Sequence, residues 1–308
     1  MSLLQMKSMQ ILLMTNQFMY MKFQSVLGLI KKFSFLFFFI IISCSVNNSS
    51  ESDIENEIEE TEFKVMSYNI SGGTFSTYKD SIISLIKKNA PDILGVQELS
   101  GSIKSEFLSF LGSSYSIIET FPSNVNINTH NIIYNNRLFN VTNFGYFETE
   151  TCGPRRFINW TLLKRKDNNE EYYIYNNHLC NSDLELRKQH LIDLVNLMVE
   201  HKAQFGGDYK AIITGDFNSG LDTEFIQFIL GKESLTIDLD TYINPVNIID
   251  TWREINPTIT KPSQGEISVD WIFSTPNIEI ISSSVDMTGT NTQNEFPSDH
   301  SPVITVFK

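Results

Sequence analysis

Polar side chains that can bind a cation, hold a phosphate or transfer a proton occur in six short clusters along this sequence. Each cluster adjoins a run of apolar residues that is typical of a β-strand. In chain order the clusters are Tyr68-Asn69, Gln97-Glu98, Asn177-His178, Gly215-Asp216-Phe217-Asn218, Asp270 and Ser298-Asp299-His300. Since residues at strand ends are placed by a rigid scaffold, they can converge on one point. The clusters therefore predict one composite site.

Some of these residues offer hard oxygen atoms that could bind a metal ion. Glu98 is the first candidate for a metal ligand, and Asn69 and Asp299 complete the predicted metal set. Oxygen ligands without a Cys/His quartet suit Mg²⁺, Mn²⁺ or Ca²⁺ better than a structural zinc ion. The alternatives are a surface carboxylate at a strand end for Glu98 and a turn residue for Asn69.

Asp270 and His300 are candidates for an acid–base pair. Asp270 lies inside the apolar run 268–273, where it needs a partner because an isolated buried charge is very costly. It is also the buried acid best placed to fix the tautomer of His300, which follows Asp299 in the chain. No activated Ser or Cys motif accompanies them, so the sequence favours a His-Asp pair over a nucleophilic triad. The alternative is that His300 is a structural histidine.

Asp216 and Asn218 stand on either side of Phe217. Alternate residues of an extended segment share a face, so both polar side chains can reach one phosphate while Phe217 packs into the core. Both residues therefore belong to the candidate catalytic set.

The apolar runs next to the clusters predict a mixed α/β (α+β) domain. Helices are expected at 78–88 and 184–204, the second with an apolar stripe of Leu184, Leu191, Leu194, Val195, Met198 and Val199. Strands are expected at 63–68, 93–96, 131–134, 156–163, 172–176, 211–214, 269–274, 278–285 and 303–307. Because strands dominate the second half, the pattern favours two packed sheets with flanking helices over a doubly wound parallel sheet.

Six ordered motifs resemble those of the endonuclease/exonuclease/phosphatase superfamily. They are Val65-Met66-Ser67-Tyr68-Asn69, Asp92-Ile93-Leu94-Gly95-Val96-Gln97-Glu98, Asn177-His178-Leu179, Thr214-Gly215-Asp216-Phe217-Asn218, Val269-Asp270-Trp271-Ile272-Phe273 and Ser298-Asp299-His300-Ser301-Pro302-Val303. The resemblance implies a four-layer α-β-β-α sandwich of two mixed β-sheets flanked by helices. It also implies a divalent-metal-dependent hydrolase of phosphate esters, with phosphodiesters as the expected substrates.

The resemblance also implies roles for individual residues. Asp216 would align or activate the attacking water, and Asn218 would contact the phosphate. His178 resembles a second histidine of the pancreatic-type deoxyribonucleases and bacterial sphingomyelinases, which would bind a non-bridging oxygen or protonate the leaving group. Arg156 resembles a phosphate-contacting arginine, with Arg155 as the alternative. Three histidines match no motif and are expected to be structural, namely His130, His190 and His201.

The N-terminal 44 residues are typical of a lipoprotein export signal. They contain four lysines and no acidic residue, and the apolar run Phe33–Ile42 is too short to span a bilayer. The run leads into Ile41-Ile42-Ser43-Cys44, which resembles a bacterial lipobox and predicts lipidation of Cys44. The alternatives are an ordinary signal peptide or a buried apolar strand with an incidental cysteine.

Residues 45–62 are rich in Asn, Ser and Glu and are expected to form a solvated acidic tether before one domain at 63–308. Without the first 44 residues the chain has 19 basic and 36 acidic residues, a formal charge of −17. This acidity argues against a stable nucleic-acid complex. We expect an exported monomer, held by its lipid on the periplasmic or outer face of the cell envelope.

Two questions stay open at this stage. Cys152 and Cys180 could form a disulfide or remain as two buried thiols. The substrate could be a nucleic acid, a small phosphate ester or a phospholipid such as sphingomyelin. A function of another class is a surface lipoprotein that uses the fold for binding without catalysis, which the intact set of polar clusters disfavours.

Overall fold

The computed structural model of the chain describes residues 61–101, 103–118, 128–153, 155–264, 267–288 and 297–308. The predicted signal peptide, Cys44 and nearly all of the predicted tether lie outside these residues, as does the side chain of His130. Among the described residues, no helix combines the length and apolar character needed to cross a membrane.

The strands are β1 (Phe63–Asn69), β2 (Ile93–Ser100), β3 (Tyr115–Ile117), β4 (Asn128–Asn135), β5 (Phe139–Glu148), β6 (Phe157–Arg165), β7 (Glu171–His178), β8 (Ala211–Asp216), β9 (Leu235–Ile237), β10 (Asp240–Tyr242), β11 (Ile249–Asp250), β12 (Asp270–Ser274), β13 (Ile280–Val285) and β14 (Val303–Phe307). The helices are α1 (Phe75–Asn89), α2 (Lys104–Leu111), α3 (Leu184–Phe205), α4 (Glu224–Ile229) and α5 (Thr251–Ile255).

Two six-stranded mixed sheets form the centre of the domain. The first sheet has the order β13-β14-β1-β2-β4-β3, and the second has the order β11-β12-β8-β7-β6-β5. Each sheet contains one parallel pair, β1 with β2 and β7 with β8, and the other neighbours are antiparallel. Strands β9 and β10 form a separate hairpin.

The hydrophobic core fills the spaces between four layers. Apolar residues of both sheets meet in the middle, among them Phe63, Ile93, Ile174, Ile212 and Phe307. The outer face of the first sheet packs on α1 and α2 through residues such as Met66, Val96, Ile86 and Phe107. The outer face of the second sheet packs on α3 and α4 through residues such as Tyr173, Ile213, Leu191 and Phe225. The predicted four-layer α-β-β-α sandwich is confirmed.

Strand periodicity explains why polar side chains reach the space between the sheets. In β1, Phe63 and Val65 face the middle of the sandwich, whereas Met66 and Tyr68 face the helices. Because side chains alternate along a strand, Asn69 at the end of β1 must share the inner face with Val65. The same alternation directs the polar ends of β7, β8 and β12 toward the first sheet.

A buried polar layer joins the two sheets beneath these strand ends. Gln97 Nε2 of the first sheet donates to Asn176 Oδ1 of the second at 2.7 Å, and Asn176 Nδ2 donates to the carbonyl of Val96 at 3.0 Å. Gly95 allows this close approach, since a Cβ atom there would lie 2.0 Å from Thr214 Oγ1. Gln97, which the sequence places in the same cluster as Glu98, therefore ties the sheets together.

The long helix begins at a side-chain cap. Asp183 accepts hydrogen bonds from the backbone N–H groups of Glu185 and Leu186, which satisfies free donors of the first turn. The predicted apolar stripe is confirmed in the middle of α3, but the expectation is wrong at its ends, where Leu184 and Val199 are exposed.

Candidate active site

A buried carboxylate and an imidazole form the first element of the site. Asp270 Oδ2 at the start of β12 lies 2.8 Å from His300 Nδ1, the contact that the sequence analysis predicts. Ser298 Oγ accepts from the backbone N–H of His300 at 3.1 Å and fixes this loop. Burial by itself would lower the pKa of His300, but attraction and the hydrogen bond from Asp270, with attraction from Asp216 and Asp299, raise that pKa to about 10. His300 is therefore an imidazolium at neutral pH.

Asp216, the last residue of β8, lies at the centre of the site. Its Oδ2 accepts from Asn69 Nδ2 at 3.1 Å and lies 3.4 Å from His178 Nε2 and 3.8 Å from His300 Nε2. Burial and repulsion from Asp270 raise the pKa of Asp216 above its ordinary value. A buried carboxylate with a raised proton affinity, within reach of two imidazoles, is suited to accept a proton.

Glu98 faces Asp216 across the side chain of Asn69. Glu98 Oε1 accepts from Asn69 Nδ2 at 3.2 Å, and Oε2 accepts from the backbone N–H of Gly72 at 3.1 Å. Asn69 Oδ1 accepts from the backbone N–H of Ser71 at 3.0 Å, so it is directed away from both carboxylates. Asn69 is thus a hydrogen-bond donor between two carboxylates.

The turn after β8 brings Asn218 to the site in a way that the sequence does not predict. Asn218 has a left-handed backbone with φ 48°, so the segment after Asp216 is a turn and the expectation of an extended segment is wrong. Its backbone N–H donates to Asp216 Oδ1 at 2.8 Å, and its Nδ2 donates to the carbonyl of Leu179 at 3.1 Å. Phe217 is buried and packs edge-on against Phe273, as expected. The turn is therefore joined to the loop that follows His178.

The structure distinguishes the two neighbouring arginines. Arg155 is half exposed, and its Nε donates to Glu148 Oε1 at 2.6 Å. Arg156 is buried, is attracted by Asp216 and Glu98, and its Nε has no hydrogen-bond partner among the described residues. Arg156 therefore keeps a free donor close to the site carboxylates, which is what a phosphate-binding arginine requires.

A disulfide joins the segments that carry Arg156 and His178. Cys152 and Cys180 are bonded; their Cα atoms lie 5.6 Å apart, and the two residues are separated by 28 positions in the sequence. Of the two possibilities left open by the sequence, the structure contains the disulfide. Because Arg156 is four residues after Cys152 and His178 is two residues before Cys180, the bond holds two predicted phosphate contacts in register.

Arg187 is a positioning residue that the sequence analysis does not identify. It is buried on α3, and its guanidinium donates to the carbonyls of Cys180 at 2.6 Å and Asn181 at 3.0 Å and to Ser219 Oγ at 3.2 Å. These bonds clamp the loop after β7 to the turn after β8. A charged residue on an amphipathic helix normally faces solvent, so its sequence context gives no sign of this role.

Removing the disulfide is expected to weaken both folding and substrate binding. We expect the Cys152→Ala/Cys180→Ala double variant to lose about 3 kcal/mol of unfolding free energy, since a cross-link of this span restricts the unfolded chain. The KM for a phosphate ester should rise because the Arg156 segment is no longer held. Urea unfolding and steady-state kinetics measure the two effects. Dithiothreitol should lower the unfolding free energy and raise the KM of the wild type, and it should change neither in the variant. An equal response of the two proteins would contradict this prediction.

Two unmatched histidines are structural, as predicted. His190 Nε2 lies 2.8 Å from the carbonyl of Glu150, and burial lowers the pKa of His190. His201 Nδ1 lies 2.7 Å from the hydroxyl of Tyr175, and burial lowers the pKa of His201 to about 4. Both rings therefore stay neutral inside the α3 side of the core.

Gln264 is a neighbour of His300 that no sequence motif indicates. Gln264 Nε2 lies 3.0 Å from His300 Nε2, on the side opposite Asp270. A charged imidazole donates from both ring nitrogens, so Gln264 must then turn its amide oxygen toward the ring. In that orientation the amide oxygen of Gln264 accepts a hydrogen bond from His300 Nε2.

Two groups of side chains could hold a cation. One ligand atom each from Asp216, Asp270 and His300 lies within 4.8 Å of the others. The proton shared by Asp270 and His300 would have to leave before a cation could bind there, which disfavours that group. The carboxylates of Glu98 and Asp216 offer hard oxygens without this conflict, and such oxygens suit Mg²⁺ or Mn²⁺. Ser298, the neighbour of the exposed Asp299, donates its hydroxyl to the carbonyl of Asn69 at 2.6 Å. The metal set of Asn69, Glu98 and Asp299 stays a prediction.

The order and geometry of these elements can be compared with known proteins. Residues 66–300 match the family model described as Endonuclease/Exonuclease/phosphatase family. The chain belongs to this family. It is therefore a phosphoesterase, and the matched range runs from β1 to His300 and includes every site residue described above. No curated protein matches the sequence of this phosphoesterase.

Solved structures share the fold of the phosphoesterase. An endonuclease/exonuclease/phosphatase family protein from Bacteroides thetaiotaomicron is 20% identical with a TM-score of 0.66, covering 80% of this chain and 95% of that one. The mannosyl-6-phosphatase of Bacteroides thetaiotaomicron VPI-5482 is 20% identical with a TM-score of 0.65, covering 80% and 99%. Truncated TDP2 of Caenorhabditis elegans is 19% identical with a TM-score of 0.60, covering 80% and 97%.

Proposed function

We propose that this phosphoesterase is a divalent-metal-dependent phosphodiesterase that acts outside the cytoplasm as a lipid-anchored protein. The observation that carries the catalytic part is the position of Asp216. Its carboxylate lies 3.4 Å from His178 and 3.8 Å from His300, and it shares the Asn69 amide with Glu98. One proton acceptor therefore stands between two imidazoles and a carboxylate that can hold a cation.

The charge of the site favours a diester over a monoester. Four carboxylates, Glu98, Asp216, Asp270 and Asp299, lie in or beside the site. The cationic side chains near them are His300, Arg156, Arg187 and Lys261. A phosphate monoester carries a charge of about −1.5 to −2 at neutral pH, whereas a diester carries a single negative charge. The diester therefore meets less repulsion from these carboxylates.

The side chains can carry out a one-step hydrolysis in this proposal. Asp216 accepts a proton from the attacking water, whose oxygen forms the new bond to phosphorus. The bond from phosphorus to the leaving oxygen breaks on the opposite side, and His178 gives that oxygen a proton. The imidazolium of His300, the amide of Asn218 and the guanidinium of Arg156 hold the non-bridging oxygens while negative charge builds up on them. Glu98 would hold the divalent cation, which when bound supplies positive charge to the same oxygens.

Hydrolysis of two p-nitrophenyl esters tests this proposal. The purified protein with Mg²⁺ or Mn²⁺ should hydrolyse bis-p-nitrophenyl phosphate faster than p-nitrophenyl phosphate, and EDTA should abolish both activities. A preference for the monoester would make it a phosphatase, and activity unaffected by EDTA would contradict metal dependence. Hydrolysis of neither ester would favour the binding lipoprotein. A panel of DNA, RNA, sphingomyelin and sugar phosphates then separates the substrate classes.

The proposals of export and of lipid attachment rest on the N-terminal sequence, and the disulfide supports export. Disulfides persist in oxidising compartments outside the cytoplasm, and Cys152–Cys180 is such a bond. We expect Cys44→Ala to release the protein from membranes, because the lipid would be attached at this cysteine. Detergent partitioning and the mass of the N-terminal peptide measure the effect, with Ser45→Ala as the neighbouring control. Unchanged partitioning of Cys44→Ala would remove the lipoprotein proposal and leave the enzymatic one intact.

A further inference from the structure

Ser263 joins the strand that carries Asp270 to the loop that carries His300. Its buried hydroxyl accepts from the backbone N–H groups of Val269 at 3.0 Å and of Asp270 at 2.9 Å. Its carbonyl accepts from the backbone N–H of Ser301 at 2.7 Å. Because these bonds run to both members of the predicted acid–base pair, the backbone at Ser263 is fixed relative to the imidazole ring.

Gln264, the next residue, has a fixed backbone and a side chain with a single contact. Its backbone N–H donates to the carbonyl of Ile267 at 3.0 Å, and its carbonyl accepts from the N–H of Ile267 at 3.0 Å. The side chain is partly exposed, and its 3.0 Å contact with His300 Nε2 is its one hydrogen bond within the described residues. The amide can therefore turn without breaking another bond of its own.

This amide occupies the position that a phosphoryl oxygen needs. His300 uses Nδ1 for Asp270, so Nε2 is the ring nitrogen that remains for a substrate. An imidazolium carries one proton on Nε2, and Gln264 is the side chain that accepts it. A phosphoryl oxygen that takes this proton must replace the amide oxygen. A half-turn of the amide then directs its N–H groups, which lie on the same planar group, toward the incoming oxygen.

The charges around His300 explain why a further donor is useful there. Asp216 Oδ2 lies 3.8 Å from His300 Nε2, so a phosphoryl oxygen bound at this nitrogen is repelled by a nearby carboxylate. An amide offers N–H donors without a charge of its own. Gln264 can therefore offset part of this repulsion without disturbing the ion pair of His300 with Asp270.

We propose that Gln264 is a further catalytic residue, which donates its side-chain amide to the non-bridging phosphoryl oxygen that His300 Nε2 binds. The inference rests on the proposed function and adds one substrate contact to it. The alternative role for Gln264 is to orient the imidazole without touching the substrate. In that case any hydrogen-bond acceptor of similar shape can replace it.

Gln264→Glu and Gln264→Leu distinguish the two roles. Both keep the approximate size of a partly exposed side chain, so both variants should fold. Glutamate still accepts from His300 Nε2 but repels a phosphate and has no N–H to donate, whereas leucine neither accepts nor donates. We expect each variant to lower kcat/KM for bis-p-nitrophenyl phosphate by about 10- to 100-fold, the effect of losing one hydrogen bond to a charged oxygen.

Gln204→Glu is the matched control. Gln204 is exposed on α3, where its Nε2 donates to Glu200 Oε1 at 2.9 Å, so this variant makes the same change of charge away from the site. Its kcat/KM should equal that of the wild type, and an equal loss would attribute the Gln264→Glu effect to charge alone and overturn the contact. Wild-type activity of Gln264→Glu would also overturn the contact, because an acceptor for the imidazole would then be sufficient.

A further measurement separates this inference from the proposed hydrolysis. If the wild type cleaves no ester, calorimetry with inorganic phosphate and Mg²⁺ decides. A dissociation constant raised by about 10- to 100-fold in both Gln264 variants would support the contact even though the proposed function had failed. Equal phosphate binding by the wild type and either variant, or no binding by the wild type, would overturn it.

Discussion

The His300→Ala variant is expected to lose roughly two to three orders of magnitude in kcat/KM, mostly through kcat. His300 is held as an imidazolium by a 2.8 Å contact with Asp270 and lies 3.8 Å from Asp216, where it can stabilise charge that appears only in the transition state. Asp270→Asn should lose a similar amount because it no longer favours the charged ring. The double variant should be little worse than either single one, since the two residues act as a unit. Kinetics on one phosphodiester measure all three.

A second buried carboxylate provides the control for this comparison of single and double variants. Asp250 caps α5 by accepting from the backbone N–H of Trp252 at 3.0 Å, and it lies in the same sheet without contacting His300. Asp250→Asn should therefore reduce stability and leave kcat nearly unchanged. If the losses from His300→Ala and Asp270→Asn multiply in the double variant, the two residues act independently and the pairing is not how the site works.

The same pair determines a pH dependence of stability. The pKa of His300 is raised to about 10 in the folded protein, against roughly 6.5 in an unfolded chain. Its stabilising contribution is therefore complete below pH about 6.5, declines above that and is lost once the pH passes about 10. Between pH 7 and pH 10 the wild type should lose more unfolding free energy than His300→Ala does. Urea unfolding at the two pH values measures this, and parallel losses would mean that His300 is not paired in the folded protein.

The sequence predicts most of the fold because burial leaves a periodic pattern. Phe63 and Val65 alternate with Met66 and Tyr68 across β1, and each set packs in a different core layer. Strand β5 has no such pattern, since much of it is exposed on both faces, and the sequence analysis does not predict it. Strands that lack burial on either face lack the signal on which the prediction depends.

Part of the site is also predictable from the sequence, because burial restricts which polar side chains an apolar strand can contain. A carboxylate within an apolar strand requires a partner, which is why the pairing of Asp270 with His300 can be inferred before the structure is known. Contacts made by the backbone leave no such trace. The left-handed turn at Asn218, with φ 48°, and the carbonyls that Arg187 binds depend on loop geometry that residue types do not specify. The orientation of Asn69, whose nitrogen faces both carboxylates, also depends on its neighbours, here the backbone N–H of Ser71.

Glu98→Gln is expected to lower kcat/KM by roughly two to three orders of magnitude and to remove the response to divalent cations. The substitution keeps the shape of the side chain and one oxygen for the 3.1 Å contact with the backbone N–H of Gly72, so the fold should persist. It removes the negative charge on which a hard cation depends. Thermal unfolding with increasing Mn²⁺ measures binding independently of activity: the midpoint should rise for the wild type and stay constant for the variant.

Two comparisons decide whether this loss reflects the site or the charge of the whole protein. Glu106 is an exposed carboxylate that pairs with Lys79 at 2.8 Å, so Glu106→Gln makes the same change of charge and should respond to Mn²⁺ like the wild type. Asn69→Ala removes the amide between Glu98 and Asp216 but leaves both carboxylates. If Asn69 acts as a donor that separates the carboxylates, its loss should lower kcat while cation binding persists. A Glu98→Gln variant that binds Mn²⁺ normally would place the cation elsewhere, with the Asp216, Asp270 and His300 group as the next candidate.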